Sequence, residues 1–108
     1  MGAQNVIATD GDDGVCDALR ANVEVNRLGD VVKVEKRWWG EEEGIREKGV
    51  DLVLGADVTY DAEAMPALVK ELEGWLGEDA GVKVVVSATV RNEVTFDAFR
   101  KAAGRFFP

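Results

Sequence analysis

Four short apolar runs, spaced widely enough for a helix between most of them, constrain this chain more than any single residue does. They are NVIATD (5–10), DVVKVEK (30–36), VDLVLGAD (50–57) and VKVVVSATV (82–90). The first is rich in β-branched residues. The near-continuous apolar character of the runs is that of strands covered on both faces, the third central among them. Between and after them the period changes. Residues 12–26 place Val15, Leu19 and Val23 four apart on one helical face, with Gly29 where a helix stop belongs. Residues 61–77 carry Met65, Leu68, Val69, Leu72, Trp75 and Leu76, the strongest helical stripe in the chain, with Pro66 confined to its first turn. Phe96, Phe99, Ala103 and Phe106 mark a last helix, loosened by Gly104. The segment 37–49 is a polar connection. Strand–helix alternation of this kind predicts an α/β fold, a mostly parallel sheet with helices on both faces.

Composition narrows the function classes. A chain of 108 residues with 46% hydrophobic and 31% charged residues has the profile of one small globular domain. The net charge of −8 argues against a nucleic-acid backbone or an anionic membrane as the main partner and leaves room for a basic protein. One cysteine, Cys16, and no histidine leave no intramolecular disulfide, no Cys/His nucleophile pair and no histidine acid–base chemistry. No apolar run approaches the ~20 residues of a membrane helix. The N-terminus lacks the basic-then-apolar order of a signal peptide, so a reducing, cytoplasmic location is expected.

In a parallel sheet, ligands gather outside the carboxyl ends of the strands. Asp10 ends the first strand, the Trp38-Trp39-Gly40 cluster follows the second, and Asp57 ends the third. Thr89, Arg91 and Asn92 follow the fourth. The run DGDDGV after the first strand loosely resembles the Asp-x-Asp-x-Thr loop of haloacid-dehalogenase-type phosphatases. Gly14 stands where the threonine should be, however, and no lysine follows the fourth strand. A magnesium-binding receiver site built from Asp12, Asp13 and Asp57 fails on the same missing lysine. Asp12 and Asp13 instead suit a helix N-terminus, where a carboxylate accepts an orphan N–H and favours the dipole. Asp10 lies earlier, at the strand's tip, placed to accept the vicinal hydroxyls of a ribose.

The ordered segments VIATDGD…LRANVEVN, RWWG, DLVLGADVTYD and SATVRNEVTFDAF resemble the later motifs of the seven-strand, S-adenosylmethionine-dependent protein-lysine methyltransferases. They are most similar to the elongation factor 2 lysine methyltransferase branch, and the similarity covers nearly the whole chain. The resemblance implies a partial Rossmann-like methyltransferase sheet, S-adenosyl-L-methionine as cofactor, and a protein substrate such as elongation factor 2. It implies that Asp10 holds the ribose, that Trp39 of the Trp-Gly pair lies beside the adenine, and that the Ala56 backbone borders the cofactor. Asp57 and Tyr60 match the Asp-x-x-Tyr pair lining the target-lysine channel. Trp38 has no counterpart in that pattern. Read without the resemblance, Asp57 caps the 61–77 helix, Tyr60 is a boundary aromatic and Trp39 a packed loop residue. Cys16 reads as a small buried hydrophobe.

The chain departs from the family at both ends. The first strand and glycine-rich loop that cradle the methionine end of the cofactor should precede residue 5, and MGAQN is no Gly-x-Gly loop. The antiparallel strands expected after the last helix do not follow. Residues 1–108 are therefore expected to be one partial domain, poor or inactive as an enzyme alone. In the family's sheet order the missing strand lies between 5–10 and 50–57. Those two strands must then pair directly, be bridged by another segment, or leave the fold unstable, because each unpaired buried backbone group costs ~1–3 kcal/mol. A non-catalytic α/β interaction module is the rival reading. A dinucleotide-binding half-domain is weak, since nothing like Gly-x-Gly-x-x-Gly precedes Asp10.

Overall fold

A computed structural model of the chain describes residues 2–41, 50–58, 61–78, 81–88 and 92–104. They fall into two compact units, Met1–Glu41 and Glu42–Pro108. The first unit contains β1 (Val6–Asp10), α1 (Asp13–Val25) and β2 (Val32–Lys36). The second contains β3 (Leu52–Ala56), a 3₁₀ turn (Ala62–Ala64), α2 (Met65–Glu78), β4 (Lys83–Ser87) and α3 (Glu93–Ala103). Strand–helix alternation is present as the period changes predict. Both strand pairs are parallel, β1 with β2 and β3 with β4, and ladder pairing among the described strands stops at these two pairs.

In the first unit, Val6 stands opposite Val32 and Asp10 opposite Lys36. The Arg37 N–H extends the ladder by one bond to the Asp10 carbonyl, at 2.9 Å. Helix α1 packs on both strands. Its inward face is centred on Cys16, fully buried, with Leu19 and Val23 half-buried. Val15, expected on that face, is 43% exposed. The i, i+3, i+7 set 16, 19 and 23 fits the helical period better than the set 15, 19 and 23, so the helix turns its cysteine inward.

The end of α1 also differs from the sequence expectation. Asn26 closes the helix and Arg27 adopts the left-handed conformation, with φ 57°. The Leu28 N–H donates to the Val23 carbonyl at 2.9 Å and the Arg27 N–H to the Glu24 carbonyl at 3.0 Å. This pair of bonds is a Schellman closure, with Leu28 in the apolar position that usually contacts the last turn. Gly29 was the expected stop. It lies two residues beyond the residue that needs the left-handed backbone, and a side chain there would meet nothing.

In the second unit α2 supplies the core. Met65, Leu68, Val69 and Leu72 are buried at 5% exposure or less, joined by Ala103 and the buried Thr95 of α3. Pro66 occupies the first turn of α2, as its missing N–H requires. Trp75, Leu76, Phe96 and Phe99 are half-buried, and Phe106 lies outside the described residues. Asp61 caps the 3₁₀ turn through a 3.0 Å bond from the Glu63 N–H, and Asn92 caps α3 through bonds from Val94 and Thr95.

Among the described residues, full cover of β3 and β4 is not found. Along β3 and β4 exposure alternates: Leu54 is 70% exposed, Val85 53% and Leu52 49%, while Val53, Gly55, Val84 and Val86 are half-buried. A continuous apolar run states that both faces could be buried. It does not state whether an element is at hand to bury the second one.

Candidate functional site

Parallel pairing brings the carboxyl ends of β1 and β2 side by side, and the sequence loads that rim. Asp10, half-buried, is the last residue of β1. Its Oδ1 accepts the Asp12 N–H at 2.9 Å, a short Asx turn that fixes the carboxylate against its own backbone. An ionised carboxylate offers about four acceptor positions. One is used here, and among the described residues Oδ2 has no hydrogen bond. Those open positions fit a vicinal diol. Asp12 is the N-cap of α1, accepting the Val15 N–H on Oδ2 at 2.9 Å, and Asp13 in the first turn pairs with Lys36 Nζ at 3.2 Å. The capping role expected of Asp12 is the one observed.

Behind Asp10 the backbone is braced twice. The Cys16 thiol donates to the Asp10 carbonyl at 3.4 Å and reaches the Glu35 carbonyl at 4.0 Å. The Arg37 N–H shares the Asp10 carbonyl from the other side, while its guanidinium, in a residue only 7% exposed, donates from Nη2 to the Glu41 carbonyl at 3.1 Å. Cys16 is thus the small buried hydrophobe the sequence suggests and a support for the strand's tip as well. Trp39 is half-buried in the turn after β2, and Gly40 follows at φ 79°, a backbone that L side chains rarely adopt.

The loop after β1 contains a contact that sequence reasoning missed. A Cβ on Gly11 would come within 3.0 Å of both Cε3 and Cζ3 of Trp38. The Trp38 indole therefore lies against the backbone next to Asp10, yet the residue is 60% exposed. The doubled tryptophan after β2 was the available signal.

In the second unit Ala56 ends β3 opposite Ser87, and the Asp57 N–H donates to the Ser87 carbonyl at 2.8 Å. Asp57 has φ 55°. A non-glycine residue in this region costs ~1–2 kcal/mol, and aspartate is among the few that visit it. Gly55 lets the turn fold back, since a Cβ there would meet Val58 Cγ2 at 3.1 Å. The 3₁₀ turn before α2 is capped by Asp61, so the helix-capping alternative for Asp57 falls to Asp61. Asn92, grouped with the strand-end residues, is a helix cap. Tyr60, Thr89 and Arg91 lie outside the described residues. Among the described residues no helix is long and apolar enough to cross a membrane.

Residues 1–105 match the family model described as lysine methyltransferase. The chain is 38% identical over 97% of its length to protein-lysine N-methyltransferase EFM3 of Chaetomium thermophilum. It is 34% identical over 90% of its length to the protein of the same name from Saccharomyces cerevisiae. It spans about a third of these relatives, 34% of the first and 30% of the second. With a family match across nearly its whole length and two relatives above 30% identity, the chain belongs to the lysine methyltransferase family.

Proposed function

We propose that the chain is part of an S-adenosyl-L-methionine-dependent protein-lysine N-methyltransferase whose target is elongation factor 2. The observation that carries the reading is the family match over residues 1–105, together with two relatives named as protein-lysine N-methyltransferases. The choice of elongation factor 2 rests on the motif resemblance, and the net charge of −8 suits a basic face on the protein substrate.

When bound, the cofactor supplies a methyl group on a positively charged sulfur. The chain's residues hold and align what reacts. Asp10 accepts the ribose hydroxyls, and its fit rests on the open carboxylate positions beside the Asx turn. Trp39 lies along the adenine, and the Ala56 backbone borders the cofactor. Asp57 and Tyr60 line the channel for the lysine side chain. There the Asp57 carboxylate and the Tyr60 phenol orient the amine and stabilise charge developing on its nitrogen. The left-handed backbone of Asp57 supports this role, because strain of that kind is retained where a side chain must point in a set direction.

Transfer of labelled methyl groups to elongation factor 2 tests the reading. It is to be measured with residues 1–108 and with a form extended upstream through a Gly-x-Gly turn. Activity is expected in the extended form and little or none in residues 1–108. Calorimetry adds a second check: residues 1–108 should bind S-adenosylmethionine more weakly than micromolar. Activity in neither form favours the non-catalytic interaction module.

A further inference from the structure

Among the described residues the charged side chain that is buried is Arg37, 7% exposed, and the proposed function gives it no role. A guanidinium taken out of water is costly unless its N–H groups find acceptors. Here Nη2 donates to the Glu41 carbonyl at 3.1 Å, four residues along its own chain. The Arg37 backbone N–H donates to the Asp10 carbonyl at 2.9 Å, one step beyond the last ladder pair, Asp10 with Lys36. One residue thus ties three points together: the tip of β1, the end of β2 and the far side of the turn that follows. Between the tied ends lie Trp38, Trp39 and Gly40. Gly40, at φ 79°, reverses the chain so that the Glu41 carbonyl returns to the guanidinium. Glu41 is exposed and outside any helix or strand, so no ladder or helix bond fixes its backbone. Trp39, half-buried, stands at the middle of this turn. It is two residues, at most about 7 Å of backbone, from the residue bonded to Asp10.

We propose that Arg37 is a positioning residue for cofactor binding, a buried latch that holds the Trp39 turn in place relative to Asp10 without touching the cofactor. The inference rests on the reading of Asp10 and Trp39 as the ribose and adenine contacts, and adds what keeps the two in register. Holding one nucleoside by both groups needs both in place at once. A turn that samples other arrangements binds with its affinity scaled by the fraction in the competent one. If loss of the latch leaves about a tenth of the molecules competent, binding weakens about 10-fold. Saturating cofactor restores the competent turn, and the rate of transfer returns with it.

The test uses the form extended upstream through a Gly-x-Gly turn, with S-adenosylmethionine as the probe. Arg37→Met keeps a long apolar stem and removes the guanidinium. It should raise KM for S-adenosylmethionine about 10-fold and leave kcat near wild type. It should also lower the heteronuclear NOE of the Trp39 indole N–H in the cofactor-free protein. Plain loss of folded protein would instead lower kcat and leave KM alone, so the split separates positioning from stability. Gly40→Val attacks the same latch from the turn side, because a β-branched residue does not tolerate φ 79°. It should give the same split, and the double variant should be no worse than the worse single one. Arg37→Lys, which keeps the charge and a donor, should fall between wild type and Arg37→Met. An unchanged KM or an unchanged NOE in Arg37→Met overturns the latch, as does a fall in kcat at constant KM. Should that variant fail to fold, a wild-type KM in Gly40→Val overturns it. Asp10→Asn and Trp39→Ala test the underlying reading separately. If both bind S-adenosylmethionine like wild type, the rim is not the cofactor site and the positioning role falls with it, even where Arg37→Met loosens the turn.

Discussion

Asp10 combines a local and a prospective role in one carboxylate, and the two can be separated by substitution. Asparagine keeps an oxygen for the Asp12 N–H but loses the charge, so Asp10→Asn should leave thermal stability within ~0.5 kcal/mol. Loss of a charged hydrogen-bond acceptor for the ribose should weaken cofactor binding by about 10-fold or more, read by calorimetry on the extended form. Asp57 is expected to behave similarly for a different reason. Its φ of 55° is tolerated by asparagine but not by a β-branched residue. Asp57→Asn should fold normally and lower methyl transfer by about 10²-fold. Asp57→Val should lower stability by ~2 kcal/mol, seen in denaturant midpoints. At this scale the sequence could name candidates, Asp10, Trp39, Ala56, Asp57 and Tyr60, because their types and order resemble the family's motifs. The Asx turn on Asp10 and the indole over Gly11 were not legible, because each depends on where a neighbouring loop comes to rest.

The elements themselves followed from period and punctuation, and their errors are instructive. Helix α1 ends where Arg27 takes the left-handed conformation rather than at Gly29. Arg27→Gly should therefore stabilise the chain by ~0.5–1 kcal/mol, measured as a raised unfolding midpoint, provided the Schellman bonds from Arg27 and Leu28 persist. Within β3 the opposite change is costly. Gly55→Ala places a methyl 3.1 Å from Val58 Cγ2 and 3.6 Å from Val86 Cγ2, and should destabilise by ~1–3 kcal/mol through overpacking. The 61–77 stripe resolves into a 3₁₀ turn and then α2, since Asp61 caps the turn four residues before Met65. Sequence patterns locate such starts poorly, because a cap and the helix it precedes share the same polar residues.

Across the whole chain, burial is divided unevenly. Among the described residues, the buried hydrophobics are Cys16 in the first unit and Met65, Leu68, Val69, Leu72 and Ala103 in the second. Local stability follows buried apolar area. Amide hydrogen exchange should accordingly be slower in α2 than in α1, and equal or reversed protection would contradict this distribution of the core. The sequence by itself determined the α/β alternation, the parallel sense of pairing it implies, the inward stripe of α2 and the family. These are set by local period and by residues a few positions apart. Only the tertiary structure decided which face of α1 turns inward, that β3 and β4 leave Leu52, Leu54 and Val85 open, and that Gly11 serves as the seat of Trp38. Each of those depends on which surfaces meet, and a linear pattern records only which surfaces could.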